Sequence, residues 1–196
     1  MPKTTAEKFP DIDPFLLRKW ELAFYKFFDV SEGQVVEWWD FSVLLRWVRD
    51  NFGEKSEQGR YAKKHMISLW EGLQQFADRN NDKQIEFDEW VEVLAAADPN
   101  DQPLWMQDYG HFLFKLFDES DDDLLDLKEY VNGMNAFGIK NKAAEEAFKL
   151  FALDAQGNKL DCITEEHFSR LWREYFWSAE RTATGNHVFG IIDIAI

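Results

Sequence analysis

Apolar residues return every three or four positions in a succession of runs, each broken by a short acidic stretch. Leu16, Trp20, Phe24 and Phe27 form the first stripe, and Asp13 as N-cap with Pro14 in the first turn would start its helix. A helix from Phe41 through Val48 follows, then the polar connector G-E-K-S-E-Q from Gly53. Tyr61, Met66, Leu69, Trp70, Leu73 and Phe76 mark the next helix, and a shorter one runs to Ala97. Pro99 and Pro103, in A-D-P-N-D-Q-P, set the expected boundary between an N-terminal half, 1–100, and a C-terminal half, 101–196. Tyr109, Phe112, Leu113, Leu116 and Phe117 carry a further run, and the helix beyond the next acidic stretch ends near Gly138. The pattern predicts an all-α fold.

The acidic stretches are alike. D-E-S-D-D-D-L-L-D-L-K-E, from Asp118 to Glu129, is a twelve-residue loop with Asp118, Ser120, Asp122, Asp126 and Glu129 at positions 1, 3, 5, 9 and 12. The carbonyl of Leu124 would serve at position 7, and Leu125 stands at the buried eighth. Calcium takes six to eight oxygens, and a turn with alternating donors wraps them round one point while the last Glu gives two. Asp123 stands at position 6, where the pattern wants Gly for a left-handed backbone.

Three more copies follow the same frame. D-R-N-N-D-K-Q-I-E-F-D-E places Asp78, Asn80, Asp82, Glu86 and Glu89 at the ligand positions and Ile85 at the eighth. Lys83 at position 6 should cost about 1 kcal/mol of backbone strain. D-V-S-E-G-Q-V-V-E-W-W-D is poorer: Asp29, Ser31, Glu37 and Asp40 keep their places and Val35 would offer its carbonyl, but Gly33 has no side-chain oxygen. Asp40, a methylene shorter than Glu, suits the smaller shell of magnesium, so this loop either leans to Mg2+ or has lost its metal. In the fourth copy, 156–167, the places fall to Gln156, Asn158, Leu160, Thr164 and His167, with Ile163 at the eighth. That loop is expected to hold nothing and to persist as a partner for the third. Aromatic residues just after the loops, Phe41, Trp90, Tyr130 and Phe168, fit four repeated units in two pairs.

Charge supports a cation binder. With 22 basic against 37 acidic residues the formal net charge is −15, which argues against nucleic acid and against acidic membrane surfaces. Hydrophobic content of 45% and aromatic content of 16% predict an ordered chain, with the Trp residues in its core. Cys162 is alone, no signal-peptide core opens the chain, and no stretch approaches a membrane span, so a cytoplasmic monomer is the expectation. His65, His111, His167 and His187 lack zinc spacing. Val188, Phe189, Ile191, Ile192 and Ile196 make the end of the chain apolar, and it is expected to dock in the groove of the second pair.

Four helix-loop-helix units, strong middle loops and the closing run F-S-R-L-W-R-E-Y-F-W-S, followed by G-N-H-V-F-G, resemble the calexcitins and the related invertebrate sarcoplasmic calcium-binding proteins. The resemblance implies two EF-hand pairs in one compact body, binding of cytosolic calcium and magnesium, and a part in neuronal signalling through membrane channels. By position it would place metal at Asp78, Asn80, Asp82, Gln84, Glu86 and Glu89, and at Asp118, Ser120, Asp122, Leu124, Asp126 and Glu129. Gly33 and Gln34 depart from the family's usual Asp-Gly. Two functions stay open, a buffer that barely opens or a sensor that acts on a channel or another protein, and the four Met give little of a sensor's groove. An enzymatic alternative is a calcium-triggered coelenterazine photoprotein. Leu171 stands where such proteins carry Trp, four residues after the His of the last helix, and the chain ends in Ile196 rather than Pro.

Overall fold

Asp13 opens the first long helix: its carboxylate accepts from the Phe15 amide at 2.7 Å, and Pro14 takes the first position of α2 (Pro14–Ala23). The computed structural model describes residues 4–191. Ahead of α2 lies a single turn, α1 (Thr5–Lys8), closed by a capping box between Thr4 and Glu7. α2 passes into a π-helical turn, Phe24–Phe28. The rings of Phe27 and Phe28 are both buried there, three and four residues after Phe24 and so on one face with the predicted stripe.

Then come α3 (Trp38–Phe52), α4 (Glu57–Ala77) and α5 (Phe87–Ala96). After residues 97–103, α6 (Leu104–Phe117), β1 (Leu124–Asp126), α7 (Leu127–Asn135), α8 (Asn141–Phe151), β2 (Cys162–Thr164) and α9 (Glu165–Trp177) complete the body. The architecture is all-α, four EF-hand units in two pairs. Each pair is joined through the eighth loop position: Val36 and Ile85 exchange N–H···O bonds of 2.9 Å, and Leu125 faces Ile163 in the antiparallel β1–β2 ladder. All four side chains are buried, so the bridge costs no exposed apolar surface.

Phe41, Trp90, Tyr130 and Phe168 all point into the core. Phe28 links the pairs there, its ring 4.5 Å from Trp90 and 4.8 Å from Tyr109. Two indoles depart from the expectation of core Trp: Trp38 and Trp39, at the start of α3, are 39% and 50% exposed.

Lys19 is the unexpected member of the core. Its ammonium has no exposure and donates to the Ser178 carbonyl at 2.7 Å, Asn186 Oδ1 at 3.0 Å and the Glu174 carbonyl at 3.3 Å. Burial pulls its pKa down to about 8, against the opposing charges of Glu174 and Asp13. Three acceptors on α9 and the segment beyond it thus hang on one cation of α2. Lys19→Ala should strip the ammonium from the Ser178 carbonyl and Asn186 Oδ1, while the Glu174 carbonyl keeps the Ser178 amide at 3.0 Å, and cost about 3 kcal/mol in urea unfolding. An unchanged midpoint would show that water replaces the ammonium.

The end of the chain docks, but not as expected. Val188 and Phe189 are buried, and Tyr130 donates to the Val188 carbonyl at 3.0 Å. Phe189 lies 4.2 Å from Phe27 and 4.6 Å from Tyr175, ring centre to ring centre. The segment therefore sits where the first pair meets the second rather than in the second pair's groove alone. Ile191 is 47% exposed, and Ile192 and Ile196 lie outside the described residues.

Candidate metal centre

Six residues other than Gly have positive φ among the described residues: Glu32, Gln34, Asn81, Lys83, Asp121 and Asp123. They are positions 4 and 6 of the loops beginning at Asp29, Asp78 and Asp118. Left-handed backbone costs an L-residue about 1–2 kcal/mol, so something must hold each turn. The first and last carboxylates do so. Asp29 accepts from Gly33 and Gln34 amides at 2.7 and 2.9 Å, Asp118 from Asp122 and Asp123 at 3.2 and 3.1 Å, and Asp78 from Lys83 at 3.0 Å.

The closing residue is equally regular. Glu129 accepts from Ser120 and Asp126 amides at 3.0 and 3.1 Å, Glu89 from Arg79 and Glu86 at 3.1 and 3.0 Å, and Asp40 from Ser31 and Glu37 at 2.8 Å each. Asp126 Oδ1 in turn caps α7 by accepting from the Glu129 amide at 2.8 Å. In the second loop the closing Glu89 takes the amide of Arg79 at position 2, while the first loop repeats the backbone contacts of the third despite its poorer sequence. Its missing donor is located too: a Cβ at Gly33 would stand 3.5 Å from Ser31 Oγ and 3.8 Å from Asp29 Oδ1, facing the loop interior.

Inside the loops the remaining donors serve the backbone. Asn80 Oδ1 accepts from the Asp82 amide at 2.9 Å, Asp82 Oδ1 from Gln84 at 2.9 Å and Asp122 Oδ1 from Leu124 at 3.0 Å, while Ser120 Oγ reaches Asp118 Oδ1 at 3.5 Å. The side chain of Gln84 points away, toward Glu37 Oε2 at 3.5 Å, so only its carbonyl is available to a shared centre. Among the described residues no three His, Cys, Asp or Glu side chains are gathered as a finished metal cage.

The electrostatics fit a cation. Asp29, Asp40 and Asp118 are 1–2% exposed and Glu129 is 7% exposed. Burial raises the pKa of Asp29 and of Asp118, with the charges of Asp40 and Glu129 adding to it. In the second loop, which is more open, Asp78 Oδ1 is buried with no hydrogen-bond partner. Paired buried anions and an orphaned oxygen suit a hard divalent ion, and every donor is oxygen. One neighbour went unnoticed in the sequence: Lys115 lies 3.9 Å from Asp118 Oδ2 and 3.8 Å from Asp121 Oδ1, and it pairs with Asp123. Three residues ahead of the loop, it was readable as an i,i+3 partner of Asp118.

The fourth connection follows the frame only in its second half. Ile163 pairs with Leu125 and α9 starts at Glu165, but α8 ends at Phe151, four residues too early for a twelve-residue loop starting at Gln156. Asp154, not Gln156, organises it, accepting from the amides of Asn158 at 2.8 Å and Gln156 at 2.9 Å around a left-handed Gly157. His167 is half-buried and its Nε2 is 2.9 Å from Arg170, away from any loop centre.

No family model matches the chain. Calexcitin-1 of Caenorhabditis elegans is 40% identical over 187 residues, spanning 95% of this chain and 92% of that one. The solved sarcoplasmic calcium-binding protein of amphioxus superposes with a TM-score of 0.72 over 92% of this chain and 99% of its own, at 23% identity. n-Aequorin shares the fold at a TM-score of 0.65 and 18% identity, over 90% of this chain and 92% of its own. With 40% identity along nearly its whole length, the chain belongs to the calexcitin family of EF-hand calcium-binding proteins.

Proposed function

We propose that calcium is held at two tight sites, by Asp78, Asn80, Asp82, Glu86, Glu89 and the Gln84 carbonyl, and by Asp118, Ser120, Asp122, Asp126, Glu129 and the Leu124 carbonyl. Asp29, Ser31, Glu37, Asp40 and the Val35 carbonyl form a third, weaker site that Mg2+ can fill. The connection around Asp154 holds no metal. The observation that carries this reading is the common frame of the three loops, closed in each by the first and twelfth carboxylates. The bound ion supplies the positive charge that offsets carboxylates gathered round one centre, and the chain supplies a pre-turned backbone and oxygens of fixed spacing.

The protein acts in the cytoplasm, as a monomer, as a calcium buffer or a signalling component with a protein or channel target, and it is not an enzyme. No helix of the described residues is long and apolar enough to cross a membrane. Likeness to photoproteins is one of fold, and Leu171, four residues after His167, supports no light-emitting site.

Calorimetric titration of demetallated protein with calcium, with and without magnesium, tests the site count. Two tight calcium sites, and a third that magnesium occupies, are expected; calcium should also raise the melting temperature over chelator. Fewer than two calcium ions bound would overturn the assignment.

A further inference from the structure

The outer face of α3 runs against the charge of the rest of the molecule. Between Arg46 and Lys64 the chain has six basic residues and three acidic ones, in a protein of net charge −15. A groove of about 280 Å³ opens there between α3 and the start of α4, with Leu45, Arg46, Arg49 and Lys63 on its walls and Glu54 as its carboxylate. Trp39, Ser42, Arg46 and Arg49, spaced at i, i+3, i+7 and i+10, continue that face along the helix.

Two features of this face ask for a partner. The Arg46 guanidinium lies over the half-exposed Trp39 ring at 5.1 Å and makes no ion pair among the described residues. Arg49 pairs only with Asp50 at 2.7 Å and Lys63 only with Glu54 at 3.6 Å, all four side chains more than half exposed. Such pairs are worth little and exchange readily for a better anion. Exposed Trp beside Arg is also the composition that interfaces concentrate at their centres.

We propose that the α3–α4 groove docks an acidic helical segment of another protein, its carboxylates on Arg46, Arg49 and Lys63 and an apolar side chain against Trp39 and Leu45. The size of the anion decides among occupants. A short peptide feels the local field within a Debye length of about 8 Å, where the basic residues dominate. An anionic bilayer would meet the remaining acidic surface as well. A second copy brings its own net charge of −15, and a basic groove on one copy meeting an acidic patch on the next would propagate rather than close. This inference does not rest on the number of metal sites.

The test is fluorescence anisotropy of a fluorescein-labelled helical peptide built from Leu and Glu, titrated with the full chain in calcium. Binding that weakens with added salt is expected, and Arg46→Glu with Arg49→Glu should weaken it about tenfold or more. Trp39→Ala should weaken it while leaving the charge unchanged. These exposed positions should keep the melting temperature of the parent, which separates lost docking from lost fold. No binding, or binding indifferent to both variants, would overturn the proposal. So would phosphatidylserine vesicles held through the same arginines more tightly than the peptide, or a dimer in sedimentation that the charge reversal dissolves.

Discussion

Glu129→Gln is expected to lower calcium affinity at the 118–129 loop about 100-fold or more and to leave the 78–89 loop unchanged, so a calcium titration should lose one tight site. Glu129 accepts from two amides, Ser120 and Asp126, one with each oxygen. Gln has one oxygen, and its NH2 would face an amide N–H across the loop. The metal-free protein should be affected little, because the lost hydrogen bond is offset by removing one of two buried like charges, Glu129 beside Asp118. The same neighbourhood sets a pH dependence. Burial raises the pKa of Asp118, so the folded chain holds that proton more firmly than the unfolded one. Without metal, stability contributed by this group therefore rises as pH falls through the raised range, while calcium, which needs the carboxylate, is released there. An undiminished stoichiometry in the variant would remove Glu129 from the site.

Gly133→Ala should be strongly destabilising. A Cβ at Gly133 would stand 2.2 Å from Phe117 Cδ1 and 2.4 Å from its Cγ. Phe117 is 3% exposed and packs edge-on against Phe137 at 6.4 Å, so its ring has no free space to take up the displacement. Alanine is otherwise the better helix former by about 1 kcal/mol, which the clash must overcome. A net loss of about 2–3 kcal/mol in urea unfolding is expected. Gly133 lies in α7 and Phe117 ends α6, so the contact also fixes the angle between the two helices that flank the third loop. Calcium affinity at that loop should fall with stability; a variant of parental stability would mean that α6 and α7 are free to move apart.

The period of apolar residues and the spacing of oxygens made the four units readable, because each unit repeats a local rule. Asp13, Ile85, Leu125, Phe41 and Trp90 needed only their own neighbourhoods to be placed. What could not be read depends on residues far away in sequence. Lys19, between Arg18 and Trp20, looks like an ordinary surface base of an amphipathic helix; its burial is set by three acceptors more than 150 residues later. The fourth loop misled because two frames overlap there, one fixed from Ile163 by pairing and the other from Asp154 by its own turn. In the first loop the ligand list is short, yet Asp29 and Asp40 hold its backbone through amide contacts of the kind that Asp118 and Glu129 make.

Phe189 rests on Phe27, two residues ahead of Asp29, and also touches Trp172 and Tyr175. Any swing of the helix feeding the first loop must therefore drag the Val188–Phe189 segment with it. A fluorophore or fused cargo attached beyond residue 191 would act as a remote gauge of ion occupancy near residue 29, and would itself alter the occupancy it reads.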